Sequence, residues 1–476
     1  MRAVDEFRSE LGETDPSEID LLESERRLRE IIETIGRACM GEVLERADTK
    51  APIIEYQGER WGNRRESPST YTSTFGDDEI VRSIYSRGGG GKIAVPLDLR
   101  LGIVERRYTP RMARVMTRAI AVMTSEEAEG LLAETGVAMV SRSTLHRMPQ
   151  AVAVRYETNR ETIEKALRES DEVPDAAAVV QVSEDGVMVP QDGEHAKPRG
   201  RKVEVTQPAR HERRYEAVAV PAPADQDGKT GRSWHEAFVG TVSFWDAKGE
   251  HLKTTYVGRM PESGHETVAT SLEEELHAVL AERPDLDVSF ASDGDALQWL
   301  QLEGIAAGLA ERRGRRMTFN LDFWHGCSYL HDAATAALGD TPEAKVQADQ
   351  WKSTLKEHDD GATRVLKSMR YYRDRTTDFA RREQQDVCID FLAKQAAAGR
   401  MQYKRSRDLG HPIGSGPVEA AAKTLVNVRM KRAGARYSQH GGQTILTLRA
   451  SLLSGRFDHL WRHLHESYRG QFREAA

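Results

Sequence analysis

No run of about 18 apolar residues, the length that spans a bilayer, occurs in the 476-residue sequence. The amino terminus, Met1-Arg2-Ala3-Val4-Asp5-Glu6-Phe7, lacks the apolar core of a signal peptide. Membrane spanning and secretion are therefore not expected, and a cytoplasmic location is. Cysteine is scarce: Cys39, Cys327 and Cys388 are odd in number and far apart, which offers neither a disulfide framework nor a Cys-x-x-Cys zinc pair and fits a reducing compartment. A basic excess is missing as well. The net charge of −7 argues against a surface that binds polyanions everywhere.

What is present is 39% hydrophobic residues, adequate for real cores, in a chain long enough for roughly three domains. Charge is unevenly distributed. Acidic residues crowd the start (Glu6, Glu10, Glu13, Asp15, Glu18, Asp20), whereas Arg400, Lys404, Arg405, Arg407, Lys423, Arg429, Lys431, Arg432 and Arg436 bracket a single glutamate, Glu419. That glutamate lies in Gly414-Ser415-Gly416-Pro417-Val418-Glu419-Ala420-Ala421-Ala422-Lys423, where Pro417 suits a first helical turn and Ser415 is placed to cap it. Flanking alanines leave the carboxylate open to close approach.

Composition and periodicity divide the chain further. Residues 1–50 read as an amphipathic helical segment, with Leu28, Ile32 and Ile35 near helical spacing, and 51–108 as a small irregular, strand-bearing region. Its Gly88-Gly89-Gly90-Gly91-Lys92 run is a loop, since it lacks the Gly-Lys-Ser/Thr ending of a phosphate-binding loop. Residues 109–172 form a helical region in which Ser141 is placed to cap a helix that starts Arg142-Ser143-Thr144-Leu145-His146-Arg147. Two readings stand for it: a helix-turn-helix presenting Arg142, Ser143 and Arg147 to a DNA groove, or a plain helical hairpin.

From 173 to 326 the pattern alternates between strands and helices. Val179–Val189 is an apolar strand broken by Asp185-Gly186, and a basic, proline-rich excursion runs from Pro190 to Arg232. Trp234–Asp246 and Leu252–Arg259 form a hairpin, followed by a helix from His265 to Glu282. Val288–Asp293-Gly294, a helix from Ala296 and a strand from Met317 to His325 complete the series. Residues 327–410 read as a helical insertion, and 411–476 as a carboxy-terminal helix with its tail. The order predicts an α/β protein with a ribonuclease-H-like mixed sheet, preceded by a helical DNA-binding region. Its first and fourth strands would be neighbours, bringing Asp185 and Asp293 together, with Glu419 laid against them.

Two aspartates and a glutamate are the hard oxygen donors that magnesium prefers, and two such ions stabilise both the attacking and the leaving oxygen of a phosphodiester. Asp185, Asp293 and Glu419 are thus candidate ligands for two Mg2+ ions, with Mn2+ an acceptable substitute and zinc not expected. His325 is a candidate for contact with the scissile phosphate, with Asp322 as its partner. Lys423, Arg429, Lys431 and Arg432 are candidates for the DNA backbone.

The segment Ile413 to Lys423, continuing through Arg429-Met430-Lys431-Arg432-Ala433-Gly434, resembles the end of insertion-sequence transposases of the ISKra group. Asp185-Gly186, Trp234-His235-Glu236-Ala237, Ser292-Asp293-Gly294, the Asp-x-x-His form Asp322–His325, and Ile445–Ala450 are further matches, spread from about Thr74 to Trp461. By that resemblance the chain is a DDE transposase whose catalytic set is Asp185, Asp293 and Glu419. It would act on double-stranded DNA, cleaving element ends and joining the 3′-hydroxyl to a target, as a homo-oligomer holding two ends. One departure is plain: the group's Tyr-x-Cys-x-x-Cys-Gly ribbon is replaced here by Tyr85-Ser86-Arg87-Gly88-Gly89-Gly90-Gly91, ahead of Pro96-Leu97-Asp98. The competing readings are a catalytically silent DNA-binding protein derived from a transposase and a structure-specific nuclease of the same fold.

Overall fold

The computed structural model describes residues 2–87, 92–137, 139–192, 232–262, 266–309, 316–432 and 435–475. The Gly88–Gly91 loop and nearly all of the basic excursion after Pro190 lie outside the described residues. The chain divides into two units, Met1–Glu164 with Phe457–Ala476, and Lys165–Arg456. The last twenty residues therefore belong with the first unit, and 411–456 with the second.

In the first unit, helices α1 (Arg2–Glu13) and α2 (Leu21–Ala47) precede strands β1 (Ile53–Tyr56), β2 (Glu59–Ser73), β3 (Gly76–Ser86) and β4 (Ile93–Ala94). The strands expected between 51 and 108 form an antiparallel sheet, and the tail strand Phe472–Ala475 adds to its β1 edge. Behind it, α3 (Pro96–Leu101) presents the buried Asp98 to Arg82 and Tyr71. Arg82 Nη1 donates to both Asp98 oxygens at 2.8 and 2.9 Å, and the Tyr71 hydroxyl donates to Oδ1 at 2.7 Å. Helices α4 (Pro110–Val122), α5 (Ser125–Glu134) and α6 (Arg142–Thr158) follow. Ser141 caps α6 as its sequence predicts, its side chain accepting from the Thr144 N–H, while Val140 and Leu145 are buried. Helix α7 (Arg160–Glu169) runs from the first unit into the second.

The second unit is built on β5 (Ala177–Asp192), β6 (Arg232–Asp246), β7 (His251–Arg259), β8 (Asp287–Ser292) and β9 (Met317–Leu321), in the order β7-β6-β5-β8-β9. The first three pair antiparallel; β8 lies parallel to β5, and β9 parallel to β8. Period-two alternation gives the sheet two faces. Val180 and Val182 of β5 join Phe238 and Val242 under α8 (Glu266–Glu282) and α9 (Ala296–Leu309), the crossovers that parallel pairing requires. Val187 and Val189 join Ala237 and Val239 on the opposite face.

Helices α10 (Phe323–Leu338), α11 (Pro342–Glu357), α12 (Gly361–Arg375), α13 (Phe379–Ala397) and α14 (Tyr403–Asp408) form the helical insertion around Leu330, Trp351, Met369 and Leu392. Next come α15 (Gly416–Ala421), a π-helical turn over Ala422–Asn427, α16 (Val428–Met430) and α17 (Gln439–Leu453). The wide turn displaces its carbonyls, and the buried Arg449 guanidinium donates to those of Thr424 and Leu425. One boundary differs from expectation: β9 stops at Leu321. The Asp322 side chain accepts the His325 N–H and starts α10, so His325 stands on a helix's first turn.

Candidate active site

The parallel register of β5 and β8 pairs Ser183 with Ala291, and two residues further along lie Asp185 and Asp293. Both are half-buried, Asp185 within β5 and Asp293 just past the end of β8. Asp185 shares its side of the strand with Val187 and Val189, and that face packs against Val418, Ala421 and Ala422 of the Glu419 segment. The buried Val418 and Ala421 anchor α15, which leaves Glu419 exposed in its first turn. Three carboxylates from remote stretches of sequence thus come to one end of the sheet.

Their proximity is recorded in Asp185. Burial pushes its carboxyl up to about 7; the charge of Asp293 adds to this, the Gly186 N–H opposes it, and the charges of Glu419 and Glu236 raise it further. Glu236, missed as a site residue although it falls within the Trp234–Ala237 match, lies over Gly186. A Cβ at Gly186 would stand 2.0 Å from Glu236 Oε1, so glycine is what lets this side chain lie there. Glu236 is itself raised by burial, then by Asp295 and Asp293. Glu184, buried on the opposite side of β5 from Asp185, is pushed up to about 8, by burial first and then by Asp295, Glu262, Asp185 and Glu236. Seven acids thus crowd this part of the sheet, and the raised carboxyls of Asp185, Glu184 and Glu236 resist ionising together. Among the described residues, no three His, Cys, Asp or Glu side chains already converge closely enough to hold a metal ion.

Buried amides brace the acid-bearing segments. Gln298 on α9, with its amide turned so that nitrogen faces them, donates to Ser292 Oγ at 2.6 Å, Asp293 Oδ1 at 3.3 Å and the Glu184 carbonyl at 3.1 Å. It therefore links the middle of β5 to the end of β8. Gly294 turns with φ 109°, and a Cβ there would meet the Phe391 ring at 2.7 Å. Phe391 stacks on Tyr329 at 4.0 Å between centroids, and the His325 ring meets both edge-on at 6.1 and 5.5 Å. His325 is thereby set in an aromatic group beside the Asp293 turn. Its expected side-chain pairing with Asp322 is not formed; Asp322 accepts the backbone N–H of His325 at 2.6 Å.

The basic candidates separate into two sets. Lys423, Lys431 and Arg432 are exposed near Glu419. Arg429 is only 5% exposed, and its guanidinium donates to the Tyr437 hydroxyl, so it serves packing rather than an open surface. In the first unit Ser143 and Arg147 are exposed, while Arg142 is held by Glu126 and Glu129 at 2.9 and 2.8 Å.

No protein-family model and no curated protein matches this chain. Among solved structures it is similar to a Drosophila P element transposase strand transfer complex at 10% identity and a TM-score of 0.24, over 76% of this chain and 84% of that one. It is also similar to a Mos1 transposase paired-end complex with left transposon end, at 14% identity and a TM-score of 0.15, over 65% and 82% of the two chains. Identities and scores at this level assign nothing by themselves.

Proposed function

We propose that the chain is a DDE transposase of the ISKra type, with a ribonuclease-H-like catalytic unit that cleaves phosphodiesters at insertion-sequence ends and joins the 3′-hydroxyl to target DNA. The observation that supports this most directly is that β5, the end of β8 and the segment after Pro417 bring Asp185, Asp293 and Glu419 to one place, where burial first and then the charges of Asp293 and Glu419 raise Asp185. The donor set is all carboxylate oxygen, which suits magnesium, and a cation would relieve the repulsion that adds to burial in raising Asp185. Asp185, Asp293 and Glu419 would hold two Mg2+ ions, or Mn2+ in their place, which when bound stabilise charge on the attacking and leaving oxygens. Drawing the three carboxylates in takes side-chain rotation, for which the exposed Glu419 is free.

His325 donates to the scissile phosphate in this reading, and Lys423, Lys431 and Arg432 grip the backbone on either side. Arg142, Ser143 and Arg147 read the element ends, Arg142 exchanging its glutamates for phosphate. Two chains hold two ends in a cytoplasmic complex.

Labelled inverted-repeat ends incubated with the protein and magnesium test the proposal. Cleavage by the wild type, lost in Asp185→Asn with end binding retained, is the expected result; unchanged cleavage by the variant would sink the assignment. Cleavage that ignores the repeats points to a structure-specific nuclease. Binding without any cleavage points to a silent DNA-binding derivative, a reading that the net charge of −7 favours.

A further inference from the structure

Asp322 is almost fully buried, 1% exposed, and its two oxygens serve different segments. Oδ1 accepts the His325 N–H at 2.6 Å and caps α10, as an aspartate before a helix commonly does. Capping leaves Oδ2 unexplained. That oxygen accepts the Ser415 N–H at 2.5 Å and the Ser415 hydroxyl at 2.8 Å, from a residue itself only 3% exposed. Ser415 stands at the N-cap position of α15 yet makes no side-chain cap to its own helix. Its hydroxyl is given to Asp322 instead.

The backbone completes the junction. Asp322 N–H donates to the Ser292 carbonyl at 2.8 Å, one residue before Asp293, and Phe323 N–H donates to the Ile413 carbonyl at 3.1 Å. Gly414 lies beside the latch; a Cβ there would stand 3.4 Å from Asp322 Oδ2, at van der Waals contact. One residue therefore joins the segment ending in Asp293, the turn bearing His325 and the helix bearing Glu419.

We infer that Asp322 is a positioning residue that latches the amino-terminal end of the Glu419 helix, through Ser415, to the strand end beside Asp293. A buried carboxylate accepting several N–H and O–H donors forms short, strong bonds in a place that water does not reach, so the helix start is held firmly. The catalytic half of this inference rests on the transposase reading; the latch itself does not.

Asp322→Ser separates the two oxygens' roles, because serine caps α10 but cannot reach Ser415 as a second acceptor. In this variant, hydrogen exchange of the Ser415 amide in the full chain should accelerate about 10- to 100-fold, the range expected for losing charge-assisted bonds. Rate constants for end cleavage should fall about 10-fold or more, with affinity for end DNA within about twofold, as expected of a residue that acts after binding. Ser415→Ala, which keeps the backbone bond, should give a smaller change of the same sense and covers the case in which the aspartate variant does not fold. Unchanged exchange at Ser415 in Asp322→Ser overturns the latch, and faster exchange with undiminished cleavage overturns the positioning role. Failure of the wild type to cleave any DNA would defeat the transposase reading, while the exchange measurement still decides the latch.

Discussion

Gln181 and Gly414 lie 233 residues apart in sequence, and the fully buried Gln181 amide donates to the Gly414 carbonyl at 2.9 Å. The bond ties the turn before Glu419 to the strand that carries Asp185. Gln181→Leu preserves bulk but leaves the Gly414 carbonyl without this partner. It should cost about 1–3 kcal/mol, read as a lowered urea midpoint with an unchanged slope.

Stability of the acid cluster depends on pH in a defined sense. Asp185 is pushed up to about 7 in the fold, above an unfolded carboxyl near 3.9. A raised carboxyl binds its proton more firmly in the folded state. Its favourable contribution is complete below the unfolded value and is lost as pH rises through about 7. Asp185→Asn should therefore leave Tm near pH 4 almost unchanged and raise stability near pH 8 by on the order of 2–4 kcal/mol. Glu184, pushed up to about 8, acts in the same sense. Thermal melts from about pH 4 to 9 check this; magnesium should raise Tm of the wild type near pH 8 and do so less in the variant.

The two Asp-Gly sites should respond differently to alanine. Gly294 has φ 109° and faces the Phe391 ring, so Gly294→Ala meets both backbone strain and an aromatic wall. A loss of about 2–4 kcal/mol is expected in chemical denaturation. At Gly186 the obstacle is the far end of the flexible Glu236 side chain. Gly186→Ala should cost less than half as much and move Glu236 away from Asp185, lowering the pH at which Asp185 titrates.

In the first unit, Arg82, Asp98 and Tyr71 form a buried charged network behind the sheet that stands where the resemblance places a cysteine ribbon. Removing one partner strands the other charge, so Arg82→Met should destabilise the unit by about 3–5 kcal/mol. A zinc-selective chelator, in buffer without magnesium, should leave the melting of the wild type unaltered. A Tm lowered by chelation would mean that a metal, rather than this network, holds the region.

Local signals carried much of the fold. Ser141 caps its helix because a serine hydroxyl reaches an N–H three residues ahead whatever the tertiary context. The strand order that made the first and fourth strands neighbours was legible from the alternation of hairpin and helical connections, and β5 pairs with β8. Where local signals were ambiguous, packing decided. Arg429 looked like its exposed neighbours Lys431 and Arg432, but it falls on the side of a short helix that meets Tyr437. Asp322 looked like a partner for the His325 ring, but an aspartate at the start of a helix meets the backbone first.

The sequence alone determined which residues favour strands, cap helices and carry charge, since these depend on a few neighbouring residues; the break it suggested at Asp185-Gly186 is absent, because both residues pair with β6 in a strand that runs on to Asp192. Only the tertiary structure decided that Glu236 lies over Gly186, that Gln298 bridges β5 and the end of β8, and that Ser415 serves Asp322 rather than its own helix. Those relations join segments remote in sequence, and they depend on strand register and on which face of each helix is buried, neither of which a local stretch of sequence contains.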